Sequence, residues 1–297
     1  MTNPLEISAI ALRARRIVET LAGTYPSRHG RFPDVLNAAA DFIEHEFREI
    51  GLQVESMPYV SEEAKVRNLS VEKVGTKPEE PCIVIGAHYD TVIGTPGADD
   101  NASGVAGLLE LARLLKNHPT QHTIKFVAFP HEEPPYFFTQ QMGSRQYTKQ
   151  LKAVGGKVLA MLALEMLGYA GENYRQLYPA PLMRTLGRYS KYGNYIALVG
   201  NLRSLPVMSV VRSAMRQKGS VGVESLSAPG FLPPLFLSDH SSFWKAGYPA
   251  LMVTDTAFLR NPNYHKETDT ADTLNYEFLA KVVAAVLEGV LALDENG

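Results

Sequence analysis

The sequence predicts an α/β protein: a single three-layer α/β/α sandwich around a central mixed, mostly parallel sheet, spanning residues 1–297. Three observations carry this. Short continuous apolar runs, CIVIGAHYD, TIKFVAFP and KVLAMLALEML, read as strands buried on both faces. Stretches with helical apolar spacing alternate with them, the pattern of a sheet covered by helices on both sides. No repeat, low-complexity tract or linker divides the chain.

Each element follows from its local pattern. Residues 5–22 and 34–50 have helical spacing, and Gly51 is placed to cap the second. LQVESMPYV and NLSVEKV alternate apolar and polar residues like half-buried strands. CIVIGAHYD is the first buried strand. ASGVAGLLELARLLKN is a helix with Ala102, Val105, Leu109 and Ala112 on one side. TIKFVAFP and KVLAMLALEML follow, separated by the helical SRQYTKQLKA. Then come a strand at 195–199, a helix near 204–217 and a strand at VGVESLS. A short helix around HSSFWKAG leads into the strand PALMVT, and a long helix runs from about Asn275 to Asp294.

Composition narrows the function classes. The chain is 45% hydrophobic and 20% charged with a formal net charge of -2, ordinary for an enzyme. That balance, with no Lys/Arg-rich run, excludes a nucleic-acid partner. Cys82, the one cysteine, lies in an apolar run and reads as a core residue. The N-terminal stretch reads as an amphipathic helix rather than a signal peptide, and no segment is apolar enough to span a bilayer. The expectation is a cytoplasmic protein without a membrane partner; a homo-oligomer stays open.

The polar residues gather where strands end, the edge at which ligands bind in open α/β sheets. CIVIGA exits into His88, Tyr89 and Asp90, and TIKFVAF into His131, Glu132 and Glu133. VLAMLAL exits into Glu165, and PALMVT towards Asp255 and His265. Between the first two lies GADDNASG, with Asp99 and Asp100 just before a helix. Each has a plain alternative: Asp99, Asp100 or Asn101 as a helix cap, His88 as a structural histidine, Glu133 paired with Arg145. Several such coincidences at one sheet edge have one economical cause. Carboxylates that converge with few bases nearby need a cation, and carboxylate plus imidazole suits zinc or a similar divalent metal.

The ordered set AHYD, GADDNASG, HEE…MGSRQY, LEM, SDHSSFWKAGYP and YHKETDTAD resembles the zinc aminopeptidases with a two-metal site. That superfamily also holds glutaminyl cyclases and glutamate carboxypeptidases, and the resemblance runs from about Ile83 to Leu274. It implies the zinc-exopeptidase-like, phosphorylase/hydrolase-like form of the sandwich and two divalent ions, zinc first. It further implies that His88 and Glu165 hold one metal, that Glu133 and His265 hold the other, and that Asp100 bridges both, with the Asp100–Asn101 peptide cis. Asp90 would orient His88, and Glu132 would bind no metal and act as general base. The implied reaction is hydrolysis of the N-terminal residue of a peptide or an aminoacyl small molecule. A glutaminyl cyclase-like acyl transfer, or a carboxypeptidase or amidase on the same scaffold, are the alternatives. The absence of a G-x-S-x-G elbow argues against a serine hydrolase.

Two departures from the family pattern stand out. Glu165 occupies a position usually held by aspartate, so the second metal site is expected to be looser or differently spaced. PPYFFTQQM, Pro134 to Met142, replaces a shorter turn and carries Tyr136, Phe137 and Phe138. It is either a pocket wall for an apolar substrate or an excursion packed against a neighbouring chain or its own domain. The tyrosine-rich 174–195 stretch and APGFLPPLF are candidate rims of the substrate site. Asp239 and His240 are candidates to support it, and His29, His45, His118, His122 and His131 are read as ordinary surface or structural residues.

Overall fold

The computed structural model describes residues 3–62, 64–178, 190–218, 221–227 and 237–296. Its strands are β1 (Val54–Val60), β2 (Lys65–Lys73), β3 (Cys82–His88), β4 (Ile124–Phe129), β5 (Val158–Glu165), β6 (Tyr195–Gly200), β7 (Gly222–Ser227) and β8 (Ala250–Thr254). They form one sheet in the order β1-β2-β4-β3-β5-β8-β6-β7. The middle four, β4, β3, β5 and β8, run parallel; the first three are the predicted buried runs and β8 is the predicted strand PALMVT. β2 lies antiparallel to β4, and β6 lies antiparallel to β8, so the sheet is mixed towards both edges.

The middle strands end level with one another. His88 pairs in register with Phe129, and Glu165 with Thr254. The polar residues that follow each strand are therefore delivered to one edge.

Helices cover both faces. α1 (Pro4–Thr24), α2 (Pro33–Ile50), α3 (Gly104–Leu115), α5 (Leu205–Lys218) and α7 (Tyr276–Asn296) bury their apolar residues with one side of the sheet. α4 (Gly143–Ala153) and α6 (His240–Ala246) cover the other around Val84, Val127, Phe129, Tyr147 and Phe243. Local signals set the ends: the Asn3 side chain accepts the Leu5 amide at 3.1 Å at the start of α1. Gly51, at φ 84°, closes α2 with its amide directed to the Phe47 and Arg48 carbonyls. α3 is buried along nearly its whole length, so its one acid, Glu110, needs a partner. Arg13 of α1 supplies it with bonds of 2.6 to 3.0 Å. Cys82 is buried and unpaired, as its apolar setting predicts.

Phe126 of β4 is fully buried in the larger core. Phe126→Ala should lower unfolding stability by ~3–5 kcal/mol, the range for removing a core aromatic ring. The check is the denaturant midpoint of chelator-treated protein.

Candidate metal centre

The strand exits bring six side chains within reach of one another. His88 Nε2 lies 3.3 Å from Glu165 Oε2 and 3.5 Å from Asp100 Oδ1. His265 Nε2 lies 3.2 Å from Asp100 Oδ2 and 3.3 Å from Glu133 Oε1. Asp100 thus turns one carboxylate oxygen to each group. The two trios, His88–Asp100–Glu165 and Asp100–Glu133–His265, each keep their ligand atoms within 4.8 Å of one another. Glu132 belongs to neither, and its Oε2 stands 3.9 Å from His88 Nε2. His88 Nε2 is buried without a hydrogen-bond partner, which a metal would supply. Oxygen and imidazole donors in threes, with further positions open, fit zinc.

The acids around the ligands are held by backbone amides. Asp90 Oδ1 accepts the Glu132 amide and Oδ2 the Glu133 amide, both at 3.0 Å. Its carboxylate also lies 3.5 Å from His88 Nδ1, whose closer partner is the Asp90 carbonyl at 3.2 Å. Asp90 therefore fixes the glutamate pair at least as firmly as it orients His88. The three polar residues of the turn divide their work. Asp99 accepts from the Gly168 amide at 2.9 Å and from Asn261 Nδ2 at 2.8 Å. Asn101 Oδ1 accepts the Gly104 and Met166 amides, and its Nδ2 donates to the Leu164 carbonyl. Asp100 alone points into the centre, and the Asp100–Asn101 peptide is cis. Of the simple caps foreseen from sequence, only Asn101 serves as one.

Glu165 has a partner that sequence reasoning missed: Ser238 Oγ donates to its Oε2 at 2.7 Å. The longer glutamate arm is thereby fixed beside His88. Asp269, inside YHKETDTAD but without an assigned role, accepts the Asp99 amide at 2.9 Å and the Asp100 amide at 3.1 Å. An acid four residues past a candidate ligand was the available signal. His131, Met166 and His265 all have positive φ (60°, 52° and 59°), left-handed conformations that cluster at functional sites.

Crowding shows in the titration of these groups. Burial, with Glu133 and Glu165 nearby outweighing His88, pushes the Glu132 carboxyl well above its ordinary range. Burial and the Asp100 charge raise Glu133 to about 8. Burial opposes charge on His265, but Asp100 and Glu133 overcome it and raise the ring to about 10. Burial also opposes the Asp90 carboxylate, yet the His88 ring and the Glu133 amide hold it below the usual carboxylate range. Carboxylates whose charge is offset only by protons and imidazoles shift in this way, and a divalent cation offsets it more strongly.

The profile of peptidase family M28 matches residues 68–290. This chain belongs to peptidase family M28. It is 40% identical to the uncharacterised Escherichia coli K12 protein YfbL, over 92% of this chain and 85% of that one. It is 30% identical to the aminopeptidase YwaD of Bacillus subtilis, over 70% of this chain but only 41% of YwaD. Among solved structures, the aminopeptidase of Aneurinibacillus sp. AM-1 superposes with a TM-score of 0.73 at 17% identity, covering 96% and 94% of the two chains. The glutaminyl cyclase of an Acidobacteriales bacterium gives 0.73 at 20% identity, covering 97% and 95%. Those two likenesses concern the fold.

Beyond the features shared with M28, the Pro134–Met142 excursion divides in two. Tyr136 is buried, stacked on His131 at 3.8 Å and near His29 at 5.5 Å, so it packs against its own chain. Phe138 stays 44% exposed, with the Phe137 ring at 4.1 Å. Arg145 does not pair with Glu133, whose close cationic neighbour is His265. Asp239 and His240 are buried, and burial raises Asp239 to about 7 against the pull of His88. His122 contacts the Pro81 carbonyl, and His45 and His118 lie at the surface. A cavity of about 110 Å³ opens beside Glu165 and Tyr264, with Val199, Leu226, Met252 and Phe258 among its lining residues. It has room for several waters or an apolar side chain. Residues 228–236, the predicted substrate-facing loop, and 179–189 lie outside the described residues.

Below the ligands, Asp255 faces Asp99 and accepts the Tyr169 and Ala257 amides. Burial raises Asp255 to about 6, above the ~3.9 of an unfolded chain. The folded state then holds a proton that the unfolded chain has already released, so stability falls as pH rises from about 4 to 6. Asp255→Asn should flatten that fall, measured as unfolding temperature against pH in zinc-free protein.

Proposed function

We propose that this chain is a two-zinc aminopeptidase that releases N-terminal residues with apolar side chains. The observation that carries this is the pair of ligand trios sharing Asp100, with Glu132 beside them and outside both. His88, Asp100 and Glu165 would hold one ion, and Asp100, Glu133 and His265 the other. Bound there, zinc supplies Lewis-acid polarisation of the scissile carbonyl and acidifies water.

The protein's own groups do the rest. Glu132 stands beside the His88 trio, its Oε2 3.9 Å from His88 Nε2, and belongs to neither ligand set, the place of a group that carries protons rather than metal. It takes a proton from the attacking water and returns it to the leaving amine. Asp90 keeps Glu132 in place through the hydrogen bond that its Oδ1 accepts from the Glu132 backbone N–H at 3.0 Å. The apolar cavity next to Glu165 takes the side chain of the residue being released. The proposal includes the cytoplasmic setting read from the sequence.

Two tests separate the parts. Glu132→Ala should keep zinc while kcat falls by ~10²–10⁴, the usual worth of a general base. Glu133→Ala should instead lose zinc, read by metal analysis after dialysis. Equal metal loss in both would defeat this division of roles. In the cavity, Leu226→Arg should cut kcat/KM for a leucyl reporter by ~10-fold or more while sparing an alanyl reporter. A protein that released no amine from an aminoacyl panel, but freed ammonia from N-terminal glutamine, would instead be a glutaminyl cyclase.

A further inference from the structure

The stretch Ser27 to Gly30 lies upstream of the segment matched to the family, and its His29 is read from sequence only as a surface or structural residue. Arg28 is completely buried. Burying a guanidinium costs several kcal/mol unless its N–H groups are met, and here backbone carbonyls meet them. Nε donates to Tyr89 O at 2.8 Å, Nη1 to Leu21 O and Pro96 O at 2.8 Å, and Nη2 to Gly97 O at 2.9 Å. A longer bond of 3.2 Å reaches Tyr25 O. Tyr89 separates His88 from Asp90, and Gly97 opens the turn that carries Asp100. The Arg28 carbonyl also accepts the Thr91 amide at 3.0 Å. The turn is thus gripped on its carbonyl side by Arg28 and on its amide side by Asp269.

His29, also buried, reaches the other half of the centre. Its Nδ1 accepts the Arg31 amide at 3.1 Å, which leaves Nε2–H to donate to Pro134 O at 3.0 Å. Pro134 directly follows Glu133. Gly30 makes room for the same segment: a Cβ there would stand 2.2 Å from Tyr136 Oη. Three consecutive residues therefore touch the segments that carry His88, Asp100 and the glutamate pair.

We propose that Arg28 and His29 are positioning residues that set these three segments at metal-holding distance, reaching the centre from upstream of residues 68–290, the span matched by the family profile. The inference rests on the metal-centre reading and is independent of the substrate. The experiment measures zinc affinity of metal-free protein by chelator competition, alongside unfolding temperature without zinc. His29→Ala should weaken zinc binding by ~10–100-fold, the usual effect of losing a group that supports a ligand. His29→Gln, whose amide N–H can serve Pro134 O, should restore most of it. Arg28→Lys should also weaken binding, since one ammonium cannot serve the Tyr89 and Gly97 carbonyls with a fork's geometry. Variants that lose unfolding temperature but keep zinc affinity within about twofold would overturn the proposal. Failure of glutamine to rescue would overturn the part assigned to His29. Should Arg28→Lys not fold, the two His29 variants still decide. If the unaltered protein binds no zinc, the metal-centre reading itself fails.

Discussion

Mutual repulsion among buried carboxylates is the constraint around which this structure is arranged. Asp90, Asp99, Asp100, Glu132, Glu133, Glu165, Asp255 and Asp269 are all buried near the carboxyl edge of one sheet. The chain deals with them in two ways. Asp90, Asp99, Asp255 and Asp269 accept backbone amides, which fixes them and offsets their charge. Asp100, Glu132, Glu133 and Glu165 accept no amide among the described residues and face the histidines instead. The acids with amide partners form a frame around those without. Protons and imidazoles offset part of this charge, and a divalent cation would offset it more strongly.

The sheet makes the arrangement possible. Parallel strands that end level deliver the residues and turns that follow them to one edge, where candidate ligands from distant parts of the chain meet. The frame then links the exits to one another. Asp90 joins the end of β3 to the residues after β4, and Asn101 joins the Asp100 turn to β5. Asp269 ties the segment after His265 to that same turn. Arg28 and His29 extend the linkage to the N-terminal part of the chain. Displacing one exit would therefore move several of the candidate ligands.

Much of this was legible in the residues, for a local reason. Continuous apolar runs with polar ends report buried strands, and helical spacing reports the covering helices, because burial periodicity is set by backbone geometry. The order of the motifs placed the ligand types at strand exits. Less legible were the supports. Ser238, Asp269, Arg28 and His29 are ordinary polar residues whose partners lie up to about 170 positions away, and many of those partners are backbone amides or carbonyls. A backbone group leaves no mark in an amino-acid pattern. The excursion after Glu133 was open for the same reason: Tyr136 and Phe138 look alike in sequence, yet one fills a gap beside Gly30 and the other faces outward.

By itself, then, the sequence determined the layer architecture, the strands and helices in order, and the residue types gathered at the carboxyl edge. Periodicity and composition act locally and need no partner to be read. Tertiary structure alone decided that β4 sits between β2 and β3 and that Asp90 grips both glutamate amides. It also placed a fully buried arginine behind the ligand turns. Each depends on distances between residues remote in the chain, which strand pairing and the packing of the helices set.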